Sequence, residues 1–329
     1  MDPLSSFTQP TRTWFEASFH EPTPAQAMGW PAIAGGSHTL IHAPTGSGKT
    51  LAAFLWTLDR LLTEPLPERQ DRCRVLYVSP LKALAHDVDR NLRAPLAGIR
   101  HASSRVGGPP LPTLETFLRT GDTPQEDRRR MHRNPPDILI TTPESLYLIL
   151  TSAAREVLHS VRWVIVDEVH AVASTKRGAH LALSLERLEE ITNVPPQRIG
   201  LSATQRPLET IGRFLGGGEV VDEVWTPRPV TIIDVPHQRD IDIEIVVPVE
   251  DMSAPGEPDP LDPDQTTTRS IWPAVYPRLL EQIRAHQSTI VFVNSRRLAE
   301  RLCSEINNLA GEEMARAHHG SVSREQRLQ

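Results

Sequence analysis

Residues Ala43 to Thr50 read APTGSGKT, and this octet constrains the fold more than any other stretch of the chain. It fits the phosphate-loop pattern with Ala in place of the first Gly, ending in Gly48-Lys49-Thr50. The flanks agree: apolar Thr39-Leu40-Ile41 precedes it, and the helix-forming run from Leu51 to Trp56 follows. A strand, a tight turn and a helix start are what a triphosphate site needs. Gly46 and Gly48 let the backbone N–H groups of the loop, including those of Thr45 and Ser47, turn towards phosphate, and the helix N-terminus adds partial positive charge. Lys49 is placed to neutralise the outer phosphate oxygens and Thr50 to ligate Mg²⁺. A chance glycine turn is the alternative, and the flanks weigh against it.

At 329 residues, with 39% hydrophobic and 23% charged residues, the chain is long enough for two soluble domains with substantial cores. No uninterrupted apolar stretch approaches the roughly 20 residues needed to cross a bilayer. The N-terminus MDPLSSFTQPTRTWFEASF has no basic patch followed by an apolar core, so it does not read as a secretory signal. Cys73 and Cys303 are far apart and lack neighbours at metal-ligand spacing, which points to incidental thiols and to no disulfide-linked partner. A cytoplasmic protein without a membrane partner is expected, and nothing in the sequence specifies its oligomeric state. The net charge of −6 argues mildly against nucleic acid, yet a protein that grips a strand through backbone amides and a few local cations needs no basic surplus.

Short apolar runs recur between helical stretches. The strand candidates are His38–His42, Arg74–Ser79, Asp137–Thr141, Arg162–Asp167 and Arg198–Ser202. Helix candidates lie between and after them: Leu51–Leu62, Leu81–Leu92, Pro124–His132, Glu144–Leu150, Leu181–Ile191 and Leu208–Leu215. This alternation predicts an α/β fold with a parallel sheet covered on both faces and ligands beyond the C-terminal strand ends. Residues 1–222 are expected to form this domain. Residues 223–270 read as a connector: β-rich runs Val230–Val235 and Ile241–Val249, then the Pro/Asp-rich stretch MSAPGEPDPLDPDQTTT, too poor in apolar residues to fold. Residues 271–329 start a new α/β pattern, with helix Ala274–His286, strand Thr289–Asn294 and helix Arg296–Leu309. That is too little for a whole sheet, so a second domain incomplete within these residues is expected.

Asp167-Glu168-Val169-His170 follows the apolar run Trp163 to Val166. An acid at the C-terminal end of a strand, downstream of a phosphate loop, can hold Mg²⁺, and a second acid beside it can polarise an attacking water. A surface Asp-Glu pair is the bland reading, and pairing with the loop weakens it. Ser202-Ala203-Thr204 ends another strand; its hydroxyls are placed to bond the carboxylates or His170, or simply to cap the next helix.

The ordered series APTGSGKT, SPLKALA (Ser79–Ala85), TTPESL (Thr141–Leu146), DEVH and SAT resembles a superfamily 2 DEAD/DEAH-type helicase core. RTGDT (Arg119–Thr123), PPDILITTPESLYLIL (Pro135–Leu150), KRGAHLALSLERL (Lys176–Leu188) and STIVFVNSRRLAERL (Ser288–Leu302) are similar to the bacterial large helicase-related, or Lhr, family. The resemblance implies a RecA-like phosphate-loop domain followed by an incomplete second RecA-like domain, closing on ATP and Mg²⁺ and acting on a DNA or RNA strand, with 3′-to-5′ polarity. It implies that Gln26 reads the adenine base. Lys49, Asp167, Glu168, His170, Ser202 and Thr204 become the catalytic set, with Thr50 and Asp167 at the metal. Ser79, Pro80, Lys82, Thr141, Thr142 and Glu144 would touch the strand's sugar–phosphate backbone, as would Asn294 and Arg296 from the second domain. Thr142-Pro143-Glu144 also reads as a helix cap with Pro at its first position, a compatible role. Arg128, Arg129, Arg130 and Arg133 rim a strand path or form a solvated helix face, and His318-His319-Gly320 resembles a further strand-contacting segment.

The arginine-rich segment that supplies the family's arginine finger is not found up to Gln329, so poor hydrolysis by these residues alone is expected. Two other readings stay open: a phosphate-loop NTPase that does not act on nucleic acid, and a non-catalytic nucleic-acid-binding module.

Overall fold

The computed structural model describes residues 2–203, 206–235, 242–247 and 271–318. The chain divides into two compact units, Met1–Arg239 and Asp240–Gln329.

The first unit opens with two helices, α1 (Gln9–Ser18) and α2 (Pro24–Ala34), followed by β1 (His38–His42) and α3 (Lys49–Thr63). Then come β2 (Val75–Val78), α4 (Lys82–Arg105), β3 (Thr116–Arg119), α5 (Gln125–Arg133), β4 (Ile138–Thr141) and α6 (Pro143–Leu150). The unit continues through β5 (Trp163–Val166), α7 (Val169–Val172), α8 (Lys176–Ile191), β6 (Gln197–Ser202) and α9 (Leu208–Gly216). It ends with the antiparallel hairpin β7 (Gly218–Val221) and β8 (Val224–Pro227), and β9 (Val230–Asp234). Among the described residues seven strands form one sheet in the order β3-β4-β2-β5-β6-β1-β9, every neighbouring pair parallel.

Strand alternation sorts the core into two layers, because successive side chains point to opposite faces. Ile41, Tyr77, Ile140, Ile165 and Ile199 face a cluster with Phe15, Trp30, Phe54 and Leu58 from α1, α2 and α3. Leu40, Leu76, Val78, Leu139, Val164 and Val166 face the other way, onto Leu146, Leu185 and Leu215 from α6, α8 and α9. Both faces are covered, which is why the strands read as continuous apolar runs. At the sheet edge opposite the strand C-terminal ends, buried Arg198 pairs with Glu186 at 2.9 Å and Glu189 at 2.6 Å. Arg228 binds the same two carboxylates and ties the hairpin's exit to the end of α8.

The structure departs from the sequence expectation in several places. The helices α1 and α2 were not anticipated, and neither were β3 or the β7–β8 hairpin, all short or mixed in pattern. The helix expected to stop at Leu92 runs to Arg105 through Pro95, and Ile99 in its second half packs into the α1 side of the core. The helix expected from Leu181 starts at Lys176, where the Thr175 side chain caps it. The stretch Val230–Val235, expected in a connector, supplies β9 and pairs with β1 residue for residue from His38–Val230 to His42–Asp234. Of Ile241–Val249, residues 242–247 are described and form no strand, and the Pro/Asp-rich stretch lies outside the described residues.

The second unit contains α10 (Trp272–Ala285) and α11 (Arg296–Ala310), packed through Tyr276, Leu280, Leu302 and Ile306. The segment Thr289–Asn294, expected to be a strand, forms no ladder among the described residues, where no second strand is present to pair with it. No helix of the described residues is long and apolar enough to cross a membrane.

Trp30 is fully buried, with Phe7 and Phe15 edge-on at 5.0 and 5.3 Å. Trp30→Ala is expected to destabilise the first unit by about 3–5 kcal/mol, read from chemical denaturation midpoints.

Candidate nucleotide site

All strands of the sheet end at the same edge, so the residues after β1, β5 and β6 meet there. β6 lies between β1 and β5, which sets Ser202 between the loop of Ala43–Gly48 and the acids at 167 and 168.

The loop turns through positive φ at Gly46 (+81°) and Gly48 (+78°), conformations that glycine reaches without strain. At Gly48 a second requirement applies, because a Cβ there would sit 2.7 Å from the amide nitrogen of Gln26. The loop is braced from α2. The Thr23 hydroxyl donates to the Ser47 carbonyl at 2.8 Å, and the Gln26 amide donates to the Gly48 carbonyl at 3.4 Å. Gln26 also accepts from the Thr23 N–H at 3.0 Å, completing a capping box at the start of α2. Gln26 is thus buried and its carbonyl is engaged, leaving its amide nitrogen as the group that faces the loop. The Ser47 hydroxyl is buried and has no hydrogen-bond partner among the described residues.

Lys49 is the first residue of α3 and its ammonium donates to the Pro44 carbonyl at 3.0 Å. Burial pushes its pKa down, while Glu168 and Asp167 pull it back up, so the loop lysine and the acid pair share one electrostatic neighbourhood. Asp167 is buried; its Oδ1 accepts the Glu168 N–H at 2.9 Å and its Oδ2 accepts the Tyr77 hydroxyl. Glu168 takes a left-handed backbone conformation, φ 46°, which turns its side chain out of the strand direction. Its pKa is raised, by burial first and by Asp167 second, against the pull of His170 and Lys49.

His170 joins two strand ends. Its Nδ1 accepts the Ala203 N–H at 3.3 Å and lies 3.5 Å from the Ser202 hydroxyl. A ring nitrogen that accepts is unprotonated, so the neutral ring carries its proton on Nε2, 3.2 Å from Glu168 Oε2. Thr204 lies outside the described residues, as do His319 and Gly320.

The two other loops at this edge are built differently from their neighbours. Ser79, Thr141 and Thr142 are buried and spend their hydroxyls internally: Ser79 on the Leu81 carbonyl, Thr141 on the Arg119 carbonyl, Thr142 on capping α6. What they present outward is shaped backbone. The exposed charges are Lys82, paired with Asp122 at 2.8 Å, and Glu144, paired with Arg177 at 2.7 Å. Arg128 folds back onto carbonyls of Gly121 and Thr123. Asn294 and Arg296 belong to the second unit, exposed at the start of α11, where Ser295 caps the helix.

Two side chains beside the candidate site escaped sequence reasoning. Tyr77 looked like one more apolar strand residue, yet a buried tyrosine hydroxyl has to find a partner, and here it is Asp167. His42, the last residue of β1, binds Asp234 at 2.8 Å, and Arg206 binds the same carboxylate at 2.9 Å. Their separation along the chain left no local signal.

The pattern of the DEAD/DEAH box helicase family matches residues 23–211, more than half of the chain. The chain belongs to this family. Within it, the chain is 51% identical to the Lhr helicase/probable uracil glycosylase of Mycolicibacterium smegmatis over the whole of this chain and 22% of that protein. It is 45% identical to the Lhr helicase/uracil glycosylase of Escherichia coli, over 98% of this chain and 23% of that one. Against the ATP-dependent helicase Lhr-Core of Methanocaldococcus jannaschii the identity is 39%, over 98% of this chain and 36% of that one. The chain thus spans between about a fifth and a third of the length of these curated relatives. Among solved structures it superposes on Mycobacterium smegmatis helicase Lhr bound to ssDNA and AMP-PNP with a TM-score of 0.82 and 53% identity, covering 100% of this chain and 40% of that one. The DEAD-box helicase Mss116 bound to ssRNA shares the fold, with a TM-score of 0.70 at 16% identity, over 98% of this chain and 60% of that one.

For this DEAD/DEAH box core the raised pKa of Glu168 has a stability consequence. The folded state holds the proton at a pH where the unfolded chain has lost it, so folding stability falls as pH rises through the folded pKa. Glu168→Gln removes the penalty and is expected to raise the thermal midpoint at neutral pH by roughly 1–3 °C, with the gain vanishing at acid pH. Differential scanning calorimetry across pH 4–8, as an order-of-magnitude window around the carboxylate range, reads both.

Proposed function

We propose that this chain is the ATP-binding core of an Lhr-type helicase that couples ATP hydrolysis to movement along a nucleic-acid strand. The observation that carries the reading is the convergence of Lys49, Asp167, Glu168, His170 and Ser202 at one sheet edge.

The residues fit a magnesium-bound triphosphate. A loop with two glycines at positive φ, a spare buried hydroxyl at Ser47 and a partly desolvated ammonium at Lys49 together make an anion cradle. Asp167 and Thr50 are hard oxygen donors of the kind Mg²⁺ selects. The ion, when bound, neutralises charge on the phosphate oxygens. Lys49 exchanges the Pro44 carbonyl for phosphate. Glu168, whose pKa burial raises, would accept a proton from the water that attacks the outer phosphate, and His170, bonded to it, would pass its charge state to Ser202 and Ala203. Gln26 braces the loop and offers its amide nitrogen to the base.

A strand is proposed to lie over the loops after β2, β3 and β4, contacting the shaped backbone of 79–82 and 141–144. Arg119, at the end of β3, is buried, and both that burial and the neighbouring Arg128 depress its pKa; the charge of a nearby phosphate would offset them. Single-stranded DNA is the first strand to test, given the ligand of the similar Lhr structure, and 3′-to-5′ polarity rests on the family resemblance. The unit through β9 is taken as the first RecA-like domain and 271–318 as part of a second, from which Asn294 and Arg296 reach the strand.

Lys49→Ala is expected to weaken binding of a fluorescent ATP analogue by about 10²-fold, the scale of losing a desolvated charge partner, while single-stranded DNA affinity at low salt largely survives. Loss of both affinities together would point away from a separate strand site. Tyr77→Phe is expected to raise the Mg²⁺ concentration for half-maximal analogue binding by about 10-fold, the lower end for removing a hydrogen bond to a metal-ligating carboxylate; an unchanged Mg²⁺ requirement would remove Tyr77 from the site.

A further inference from the structure

The stretch KRGAHLALSLERL, Lys176 to Leu188, enters the site described above only through Arg177, the partner of Glu144. It opens α8, and its second and third residues make contacts that a plain surface helix would not need. Arg177 Nε donates to Glu144 Oε1 at 2.7 Å, and its NH2 group donates to the Pro80 carbonyl at 2.9 Å. One guanidinium therefore spans the loop after β2 and the loop after β4. The planar fork of arginine makes two such bonds in fixed relative geometry, which a lysine ammonium does not. Glu144 registers the contact: burial pushes its pKa up, but the bond from Arg177, with help from its own N–H and Thr142, holds it below the usual carboxylate range.

Gly178 fixes where that guanidinium sits. A Cβ at this position would lie 2.1 Å from the Val172 carbonyl oxygen and 3.1 Å from the Ala173 Cα, both backbone atoms that cannot step aside. The first turn of α8 is seated directly on the end of α7, and the Thr175 hydroxyl accepting from the Gly178 N–H at 3.2 Å closes the joint. The other end of α7 begins at Val169, immediately after Asp167 and Glu168, and carries His170. A short, rigid run of backbone thus leads from the acid pair to the two loops.

We propose that Arg177 and Gly178 form a positioning linkage that couples nucleotide occupancy to the strand-facing loops. Gly178 locks α8 to α7, and Arg177 holds the loops after β2 and β4 at a spacing set by that lock. A shift of the Glu168 segment moves α7, and with it both loops together. The linkage rests on the nucleotide-and-strand reading above. An exposed pair such as Arg177–Glu144, with side chains 45% and 55% accessible, adds little to folding stability, so a purely structural role leaves communication between ligands untouched.

The test measures binding of a fluorescent non-hydrolysable ATP analogue with Mg²⁺ to the whole chain, with and without saturating oligo(dT). For wild type, strand is expected to tighten analogue binding by a factor within the about 5- to 150-fold range of coupled sites. In Arg177→Ala each ligand alone is expected to bind within about threefold of wild type, while the coupling factor falls to within about twofold of unity. Arg177→Lys, able to hold one acceptor but not both, falls between, and a thermal melt reports that both variants are folded. An Arg177→Ala chain that keeps wild-type coupling overturns the linkage and leaves the functional reading standing. So does a loss of strand affinity greater than about 10-fold in that variant without nucleotide, which marks a direct contact. A wild-type chain that binds both ligands independently also overturns the linkage. A wild-type chain that fails to bind the strand or the analogue overturns the functional reading, and the linkage with it.

Discussion

A partly desolvated ammonium facing two adjacent carboxylates sets the terms for the rest of the first unit. Lys49 follows the loop after β1 while Asp167 and Glu168 follow β5, and burial works against the charged form of Lys49 and of Glu168 alike. Such a group persists only if the scaffold over-determines it. Here the parallel sheet does so, with Tyr77 from β2 holding one oxygen of Asp167 and His170 bonding Glu168. The energy of two buried apolar layers keeps the strand ends aligned, and the strand ends keep uneasy charges in register.

The same arrangement explains what the surrounding hydroxyls do. Ser79, Thr141 and Thr142 are small polar residues at strand-to-helix junctions, and each is buried with its hydrogen bonds made inside the protein. Their chemistry is spent on shaping backbone. Recognition of a strand through such loops would carry little sequence information, since backbone contacts position a nucleic acid without reading it.

The sheet was largely legible in the sequence because buried parallel strands are continuous apolar runs and the phosphate loop fixes one of them. Leu40, Val164 and Leu201 identify themselves by composition alone. The site was legible for the same reason: Lys49, Asp167 and Ser202 sit where such strands end. The N-terminal helices were not, because Pro24 and Pro31 sit within or beside α2 and its residues are apolar on every side rather than striped. The edge strand β9 was read as connector because one apolar run beside a Pro/Asp-rich segment carries no mark of its partner. Long-range contacts such as His42 with Asp234 leave nothing local to read. Tyr77 is the intermediate case, where a polar atom in an apolar run is itself the clue.

The position of β9 has a mechanical meaning. It runs parallel to β1, matched over five residues, and the chain leaves the sheet for the second unit just past Asp234. A pull along the strand direction would load all the β1–β9 rungs at once in shear instead of peeling them one by one. The neighbour that receives the load is the strand whose last residue, His42, adjoins the glycine loop. Such a pull would be handed to the strand that leads directly into the glycine loop.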